Sequence, residues 1–310
     1  MTRTDVWSGR PLVESRHRGH LALVGRDDEL VAALGDPDRV TFVRSTAKPF
    51  QATACLELLD LAGPELGADE VAVGWASHRA EPTHLAAVRS LLARSGTTPE
   101  DLTCPPTSGE HDPGAPPSRL TSDCSGKHAL FALAGQQQGT TRDRLLDPDG
   151  PLQRVVLGVV EEFLGPPVAV GVDGCGAPAV AVPLRALAAG FAAVASQARL
   201  RRVREAGFAH PKLVGGEGRL ESTLLAHGVV AKSGAEGVFA AGWLAPDGSP
   251  RGLALKAEDG ASRAVTAAAL AVLVAAGRVD ADLWSPAPIL GGGRPTGAVR
   301  VSDEVAQLLG

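Results

Sequence analysis

The chain of 310 residues has the length of one large domain or two closely packed lobes, and its 44% hydrophobic and 21% charged residues are ordinary for a globular protein. A formal net charge of −5 and the lack of tyrosine argue against a nucleic-acid partner, because phosphates need a basic face and bases need aromatic platforms. The first twenty residues lack the apolar core of a signal peptide, and the longest apolar run, 264–277, is too short to span a bilayer. We therefore expect a cytoplasmic protein with no membrane partner, whose four cysteines are free thiols or metal ligands rather than disulfides.

The hydrophobic pattern predicts an α+β fold with one main antiparallel sheet. In chain order, strand signals fall at 20–25, 30–34, 41–45 and 71–74, and helix signals at about 48–61 and 82–93. A surface loop at 105–117 precedes helices that follow residue 127 and that cover 152–164 and 177–198. The last third predicts a meander of strands at 229–232, 237–244 and 251–256, a helix at 261–277 and a final strand at 299–301.

No repeat or long linker divides the chain, so we expect one domain over residues 1–310. Within it we expect two intimate lobes. A sheet lobe would comprise about 13–45 and 205–310, and a helical lobe about 48–200.

A serine and a lysine at helical spacing occur near the first predicted helix. Ser45-Thr-Ala-Lys48 fits the pattern S-x-x-K, and one helical turn would place the Ser45 hydroxyl and the Lys48 amine on the same face. A lysine desolvated at a helix start can lose its charge and then accept the serine proton. The motif also arises by chance, so an ordinary helix start is the competing interpretation.

Two further segments extend this chemistry. Lys232-Ser-Gly234 matches the K-[ST]-G element that lines the site of penicillin-recognising serine enzymes from an edge strand. Ser77 follows the run at 71–74, and Lys256 ends a strand among apolar neighbours. Because tyrosine is absent, a second Ser–Lys pair could transfer the proton that tyrosine transfers in related folds. An exposed strand end and a solvated structural lysine are the alternatives.

Two cysteines lie in glycine-rich turns, Asp123-Cys124-Ser-Gly-Lys127-His128 and Asp173-Gly-Cys175-Gly-Ala-Pro178. Thiolates bind borderline-soft metals and Zn²⁺ takes four ligands, so Asp173, His128 or a neutral Lys127 could complete a zinc site. Two buried free thiols are the alternative. Cys55 is expected in the core, and Cys104 lies in a loop without an assigned role.

Five dispersed segments together resemble the asparaginase II family, the thermolabile, rhizobial-type L-asparaginases. They are VESRHRGH at 13–20, RSTAKPFQ at 44–51, CSGKH at 124–128, VDGCGAP at 172–178 and AKSGAEG at 231–237. The resemblance runs from about Val13 to Gly260. Three positions depart from the family pattern, with Asp123 where asparagine is expected and Ala80 and Leu130 where glycine is expected.

The resemblance implies a serine β-lactamase/glutaminase-like fold and hydrolysis of L-asparagine to L-aspartate and ammonia. It also implies two Ser–Lys tandems, Ser45 with Lys48 and Ser77 with Lys256, and a zinc ion held by Cys124, Lys127 and Cys175. We expect Ser45 to be the nucleophile, with the second tandem relaying protons or orienting the amide.

Four more residues are candidates for binding substrate. Arg44 suits the α-carboxylate by bidentate pairing, Asp173 suits the α-amino group, and Asp123 and Lys232 would line the site. A glutaminase or a penicillin-recognising hydrolase is the alternative among enzymes, and a non-catalytic amino-acid-binding or metal-binding protein is the alternative outside them. The intact serines and lysines weigh against the latter. An exposed sheet edge makes a homodimer plausible.

Overall fold

The computed structural model describes residues 1–63 and 65–308 and has a mixed α/β architecture with antiparallel strand pairing. Its strands are β1 (Thr2–Thr4), β2 (Pro11–Val13), β3 (Gly19–Val24), β4 (Leu30–Leu34), β5 (Val40–Phe42), β6 (Ala169–Val172), β7 (Pro178–Pro183), β8 (Val230–Gly234), β9 (Val238–Leu244), β10 (Pro250–Ala257), β11 (Ile289–Gly291) and β12 (Arg294–Ala298). Its α-helices are α1 (Lys48–Ala62), α2 (Ala68–Gly74), α3 (Pro82–Ser95), α4 (Ser125–Gln137), α5 (Pro151–Leu164), α6 (Leu184–Ser196), α7 (Arg201–Ala209), α8 (Pro211–Gly215), α9 (Leu220–Ala226), α10 (Ser262–Ala275) and α11 (Asp303–Ala306). Of these described helices, none has the length and apolar character to cross a membrane.

A five-stranded antiparallel sheet of order β4-β3-β10-β9-β8 separates two hydrophobic cores. Successive side chains of a strand point to opposite faces. Accordingly, Ala22 and Val24 of β3 pack into the larger core, which includes α6, while Leu21 and Leu23 pack into the smaller core, which includes α10. The alternating apolar residues of β3 thus place helices on both faces of the sheet.

Helix α6 lies directly on the backbone of this sheet. Gly242 of β9 and Gly252 of β10 are paired in register. A Cβ atom at Gly242 would lie 1.9 Å from the carbonyl oxygen of Phe191, and one at Gly252 would lie 1.9 Å from that of Ala188. The two glycines therefore determine how closely the helix approaches the strands.

Two smaller sheets complete the fold. One, of order β11-β12-β1-β2, joins the two ends of the chain, and the other, of order β5-β7-β6, pairs residues near 41 with residues near 181. The division into two lobes remains a prediction. The sheet of β5, β7 and β6 joins residues from both sides of the expected boundary at 45–48, and α6, which falls in the expected helical range, packs on the central sheet.

The predictions of local structure are confirmed for segments with an extended pattern of alternating apolar residues or with a proline that signals the start of a helix. The hairpin of β3 and β4, the start of α1 at Lys48, the start of α3 at Pro82 and the meander of β8, β9 and β10 all form as expected.

Three local predictions are wrong. Residues 71–74 form the end of α2 rather than a strand, and the helix predicted at 177–198 is preceded by β7 and begins at Leu184. The final strand predicted at 299–301 is not formed, because the last strand in the described part of the chain is β12, which ends at Ala298. Short apolar runs fit a buried strand and a buried helix equally well, so periodicity alone could not separate them.

Candidate active site

Lys48 is the first residue of α1, and its side chain lies in the interior of the molecule. Pro49 occupies the first turn of this helix, where its missing N–H costs nothing. A 3₁₀ turn, Arg44–Ala47, precedes the helix, and Arg44 adopts φ of 52°, the left-handed region that few non-glycine residues adopt. This turn redirects the chain so that the Lys48 side chain, 1% exposed, enters the interior.

Ser77 lies in the segment after α2, between two lysine amines. Its backbone N–H donates to Val214 O at 3.0 Å. Lys48 Nζ donates to Ser77 Oγ at 3.0 Å and to Ala76 O at 2.6 Å, and Lys232 Nζ donates to Ser77 Oγ at 2.8 Å. Two lysines distant in sequence therefore converge on one hydroxyl.

Lys232 is the lysine whose environment favours loss of the proton. It lies on β8, is 1% exposed, and also donates to Ser233 O at 3.2 Å. Burial, followed by the charge of Lys48, lowers the pKa of Lys232 to about 8. A substantial fraction of Lys232 is therefore neutral in mildly alkaline solution, where it can accept a proton from Ser77.

Ser45 is close to this centre, and it accepts the backbone N–H of Lys48 through its carbonyl oxygen rather than contacting the Lys48 amine through its hydroxyl. A Cβ atom on Gly234, at the end of β8, would lie 3.1 Å from Val43 O and 3.4 Å from the Ser45 nitrogen, so glycine lets the strand pack against the turn that holds Ser45. The Lys48 amine is directed to Ser77 and Ala76, and within the described chain no hydrogen bond joins Lys48 to the Ser45 hydroxyl. The hydrogen bond expected from the S-x-x-K spacing is therefore absent among these residues, and the role of Ser45 as nucleophile stays a prediction.

Lys256 does not occupy the place expected of it beside Ser77. It lies on β10, and its amine donates to Glu236 O at 2.6 Å and to Ala257 O at 2.5 Å. In the sheet order, β9 separates β10 from β8, so the two lysines cannot share a position. The expected pair of Ser77 with Lys256 is thus replaced by a pair of Ser77 with Lys232, which the sequence had placed only among residues that line the site.

The two residues expected to bind opposite ends of the substrate contact each other. Arg44 Nε donates to Asp173 Oδ1 at 2.9 Å, and a second guanidinium nitrogen lies 2.9 Å from the same oxygen. Gly174 N also donates to this oxygen at 2.7 Å. One carboxylate oxygen of Asp173 therefore makes all three contacts, and the Arg44–Asp173 ion pair is only partly buried.

Asp123 is exposed and lies in the field of both lysines. Desolvation raises the pKa of its carboxyl, but the charge of Lys48, supported by that of Lys232, outweighs this effect and holds the pKa below its usual range. The carboxylate is therefore ionised and accessible, and the backbone of Asp123 is joined to the segment after Ser77 by a hydrogen bond from His78 N to Asp123 O at 3.2 Å.

His78, directly after Ser77, was not identified from the sequence. Its Nδ1 accepts the backbone N–H of Ala80 at 3.0 Å, so its Nε2 carries the proton and faces Ser125 Oγ at 2.7 Å. Burial, with the charges of His84 and Lys48, lowers the pKa of His78 to about 3. The imidazole ring is therefore neutral, and its hydrogen bonds to Ser125 and Ala80 hold the segment after Ser77 in place. Ala80 has φ of 62°, which explains why glycine suits this position.

Helix α4 brings Cys124 and Lys127 beside this centre. A Cβ atom on Gly126 would lie 2.1 Å from Val73 O, so glycine allows the first turn of α4 to rest on α2. Lys127 Nζ lies 3.1 Å from Cys175 Sγ, and all four cysteines are buried and free. Leu130, the departure on this helix, is buried and would meet a Cβ atom on Gly74 at 2.8 Å.

Of the two paired thiols, Cys175 is the thiolate. A hydrogen bond from Cys124, followed by contributions from His128 and Lys127, lowers the pKa of Cys175, while the Cys124 thiol that donates this bond has a raised pKa. Burial lowers the pKa of Lys127, but the charge of Cys175 outweighs it and the net pKa is raised. Lys127 and Cys175 therefore form a buried ammonium–thiolate pair.

The donor set here is two sulfurs and one amine. Across residues 1–63 and 65–308, no group of three or more His, Cys, Asp or Glu side chains is arranged to hold a metal ion. His128 Nε2 is buried without a hydrogen-bond partner, while its Nδ1 bonds Thr103 Oγ1 at 2.6 Å. Metal binding at the two cysteines would therefore require the Lys127 amine as the third donor.

The structure thus places the half-buried Ser77 hydroxyl between the amines of Lys48 and Lys232, beside a central antiparallel sheet. The family model described as L-asparaginase II matches residues 8–301. The chain therefore belongs to the L-asparaginase II family, in agreement with the resemblance of its five segments. No curated protein sequence gives a significant match.

Proposed function

We propose that the protein hydrolyses the side-chain amide of L-asparagine to L-aspartate and ammonia, with Ser77 as nucleophile. The observation that carries this proposal is the convergence of Lys48 and Lys232 on the Ser77 hydroxyl, at 3.0 and 2.8 Å. Family membership supports the amidohydrolase class, and the geometry favours Ser77 over Ser45 as the activated serine.

The reaction takes place in two steps. Neutral Lys232 accepts the Ser77 proton as the oxygen attacks the amide carbon, and the proton is then passed to the departing nitrogen, which leaves as ammonia. Water, deprotonated by the same amine, then attacks the acyl carbon; the bond to Ser77 Oγ breaks, aspartate leaves and the amine returns the proton to Ser77 Oγ. Lys48 holds the Ser77 oxygen and stabilises negative charge that develops on it.

The charged side chains of Arg44, Asp123 and Asp173 would recognise the α-carboxylate and α-amino groups of a free amino acid. Arg44, held by Asp173, presents its remaining N–H groups to the α-carboxylate, while the accessible carboxylate of Asp123 and the second oxygen of Asp173 suit the α-amino group. The aspartate at 123 adds a negative charge where the family pattern has a neutral amide.

A zinc ion would be held by Cys124, Lys127 and Cys175. The two thiol groups match the ligands that zinc prefers, and the Lys127 amine could join them only after losing the proton that it holds in the ammonium–thiolate pair. When bound, the ion would supply a fixed positive charge beside the substrate. The steps at Ser77 do not require it, because both lysine contacts form among the chain's own residues.

The fold is proposed to be of the serine β-lactamase/glutaminase type. Support comes from the five-stranded antiparallel sheet with α6 on one face and α10 on the other, and from the S-x-x-K segment on a helix facing K-S-G on the edge strand β8.

The decisive experiment compares two serine variants in an assay of ammonia release. Ser77→Ala should lower kcat for asparagine by at least about 10³-fold while the melting curve is preserved, and Ser45→Ala should retain far more activity. Loss in Ser45→Ala with activity kept in Ser77→Ala would transfer the nucleophile to Ser45.

The same assay tests the substrate. Glutamine and a chromogenic β-lactam, measured in parallel, should give much lower kcat/KM than asparagine. A reversed order would indicate a glutaminase or a penicillin-recognising hydrolase. No turnover of any of the three by correctly folded protein would favour a non-catalytic binding role.

A further inference from the structure

A buried carboxylate behind Lys232 has no role in the reaction described above. Glu221, on the short helix α9, is 7% exposed. It accepts a hydrogen bond from Ser233 Oγ, and Ser233 is the residue after Lys232 on β8. The Lys232 amine in turn donates to the backbone oxygen of Ser233 at 3.2 Å. Ser233 therefore connects the carboxylate to the lysine through its side chain and its carbonyl group.

The titratable groups around Lys232 are four residues, from the starts of α1 and α4 and from α9. Lys48 at the start of α1 lowers its pKa, whereas Glu221 on α9, Asp123 before α4 and Cys124 at the start of α4 each raise it. Glu221 is the largest of the contributions that oppose Lys48. Among the described residues, Glu221 forms no salt bridge with an arginine or lysine, so its charge is not neutralised by a closer cation.

The need for such a carboxylate follows from the arrangement of the lysines. Two amines that approach one hydroxyl repel each other when both are charged, and this repulsion is strong where water is excluded. Without a fixed negative charge, the protonated Lys232 would tend to turn away from Ser77. A carboxylate held by hydrogen bonding keeps the amine in place without touching the substrate.

We propose that Glu221 is a positioning residue: anchored by Ser233, its carboxylate holds Lys232 against Lys48 at Ser77 and sets the pH at which Lys232 releases its proton. The inference deepens the proposed function and rests on it for its catalytic meaning. The placement of Glu221, Ser233 and Lys232 stands independently of any substrate.

The test measures Lys232 directly. The chain has five lysines, at 48, 127, 212, 232 and 256, so protein labelled with ¹³C at lysine Cε gives few signals, and Lys232→Met assigns the relevant one. In Glu221→Gln, the titration midpoint of Lys232 should fall by about one pH unit, because a nearby negative charge is lost. The acid limb of kcat/KM for asparagine against pH should move the same way.

Two controls separate charge from packing. Glu221→Asp keeps the charge and should restore the Lys232 midpoint to within about 0.3 of a pH unit of the wild-type value. Glu217→Gln removes an exposed carboxylate that pairs with Lys212 and should leave the midpoint unchanged.

An unchanged Lys232 midpoint in folded Glu221→Gln would overturn the proposal, as would a loss of kcat/KM that is uniform with pH. If Glu221→Gln does not fold, Ser233→Ala takes its place. In Ser233→Ala the titration midpoint of Lys232 should fall by less than the unit expected for Glu221→Gln. An unchanged midpoint in this variant would overturn the proposal that Ser233 anchors Glu221. A displaced midpoint in protein that releases no ammonia from asparagine would refute the proposed function but support this inference.

Discussion

Replacing Lys232 by methionine should make the protein more stable at neutral pH while it abolishes activity. The pKa of this fully buried lysine falls from its ordinary value of 10.5 to about 8, and each unit corresponds to about 1.4 kcal/mol. A folded-state pKa below the unfolded value means that folding is penalised wherever both states carry the proton, which is below about pH 8. The penalty is about 3 kcal/mol at pH 7, and it disappears as the pH rises from about 8 to 10.5.

Methionine removes this penalty but also removes two hydrogen bonds, to Ser77 Oγ and Ser233 O, each of which contributes about 1 kcal/mol. The variant should therefore be about 1 kcal/mol more stable than the wild type at pH 7 and about 2 kcal/mol less stable near pH 10.5.

Urea unfolding of both proteins at pH 7 and pH 10 measures this change. Lys212→Met, at an exposed salt bridge with Glu217, is the matched control and should show a difference that hardly varies with pH. If the free-energy difference between Lys232→Met and wild type were the same at both pH values, Lys232 would have an ordinary pKa and could not be the base.

Three further outcomes are expected. The kcat/KM for asparagine should rise with pH through about 8 as Lys232 loses its proton, and a profile already at its maximum near pH 5 would contradict a lysine base. Protein purified without chelator should carry about one zinc ion per chain, which Cys124→Ser should lose and Cys104→Ser should retain; a Cys104→Ser variant without zinc would refute the ligand set. Gly242→Ala should cost several kcal/mol in urea unfolding because its Cβ would lie 1.9 Å from Phe191 O, whereas Gly158→Ala, with open space inside α5, should stabilise the protein by about 0.5–1 kcal/mol. Equal effects of the two substitutions would mean that α6 does not rest on the sheet as described.

The local sequence pattern was sufficient to predict the secondary structure of a segment that has one polar side, or whose start is signalled by a proline or a polar turn. Helix α3 begins at a proline with an apolar stripe behind it, and the hairpin of β3 and β4 is marked by a polar turn. Segments buried on all sides lack this contrast. Residues 71–74 are buried throughout, and so is most of 178–183, yet the first run is helical and the second is a strand. Their neighbours in space decided between the two, which periodicity could not show.

In the candidate site, too, some features were predictable from the sequence and others were decided only by the tertiary structure. The sequence by itself identified the family, the two serines, the cysteine turns and the lysines, because each belongs to a short segment of distinctive composition. It did not determine which lysine serves which serine. Lys48 is three residues from Ser45, but its long flexible side chain reaches Ser77, and Lys232 rather than Lys256 joins it because β8, not β10, forms the edge of the sheet beside the turn at 44–47. Side-chain reach and strand order are properties of the folded chain, and spacing along the sequence does not encode them where the partners lie 29 and 155 residues apart.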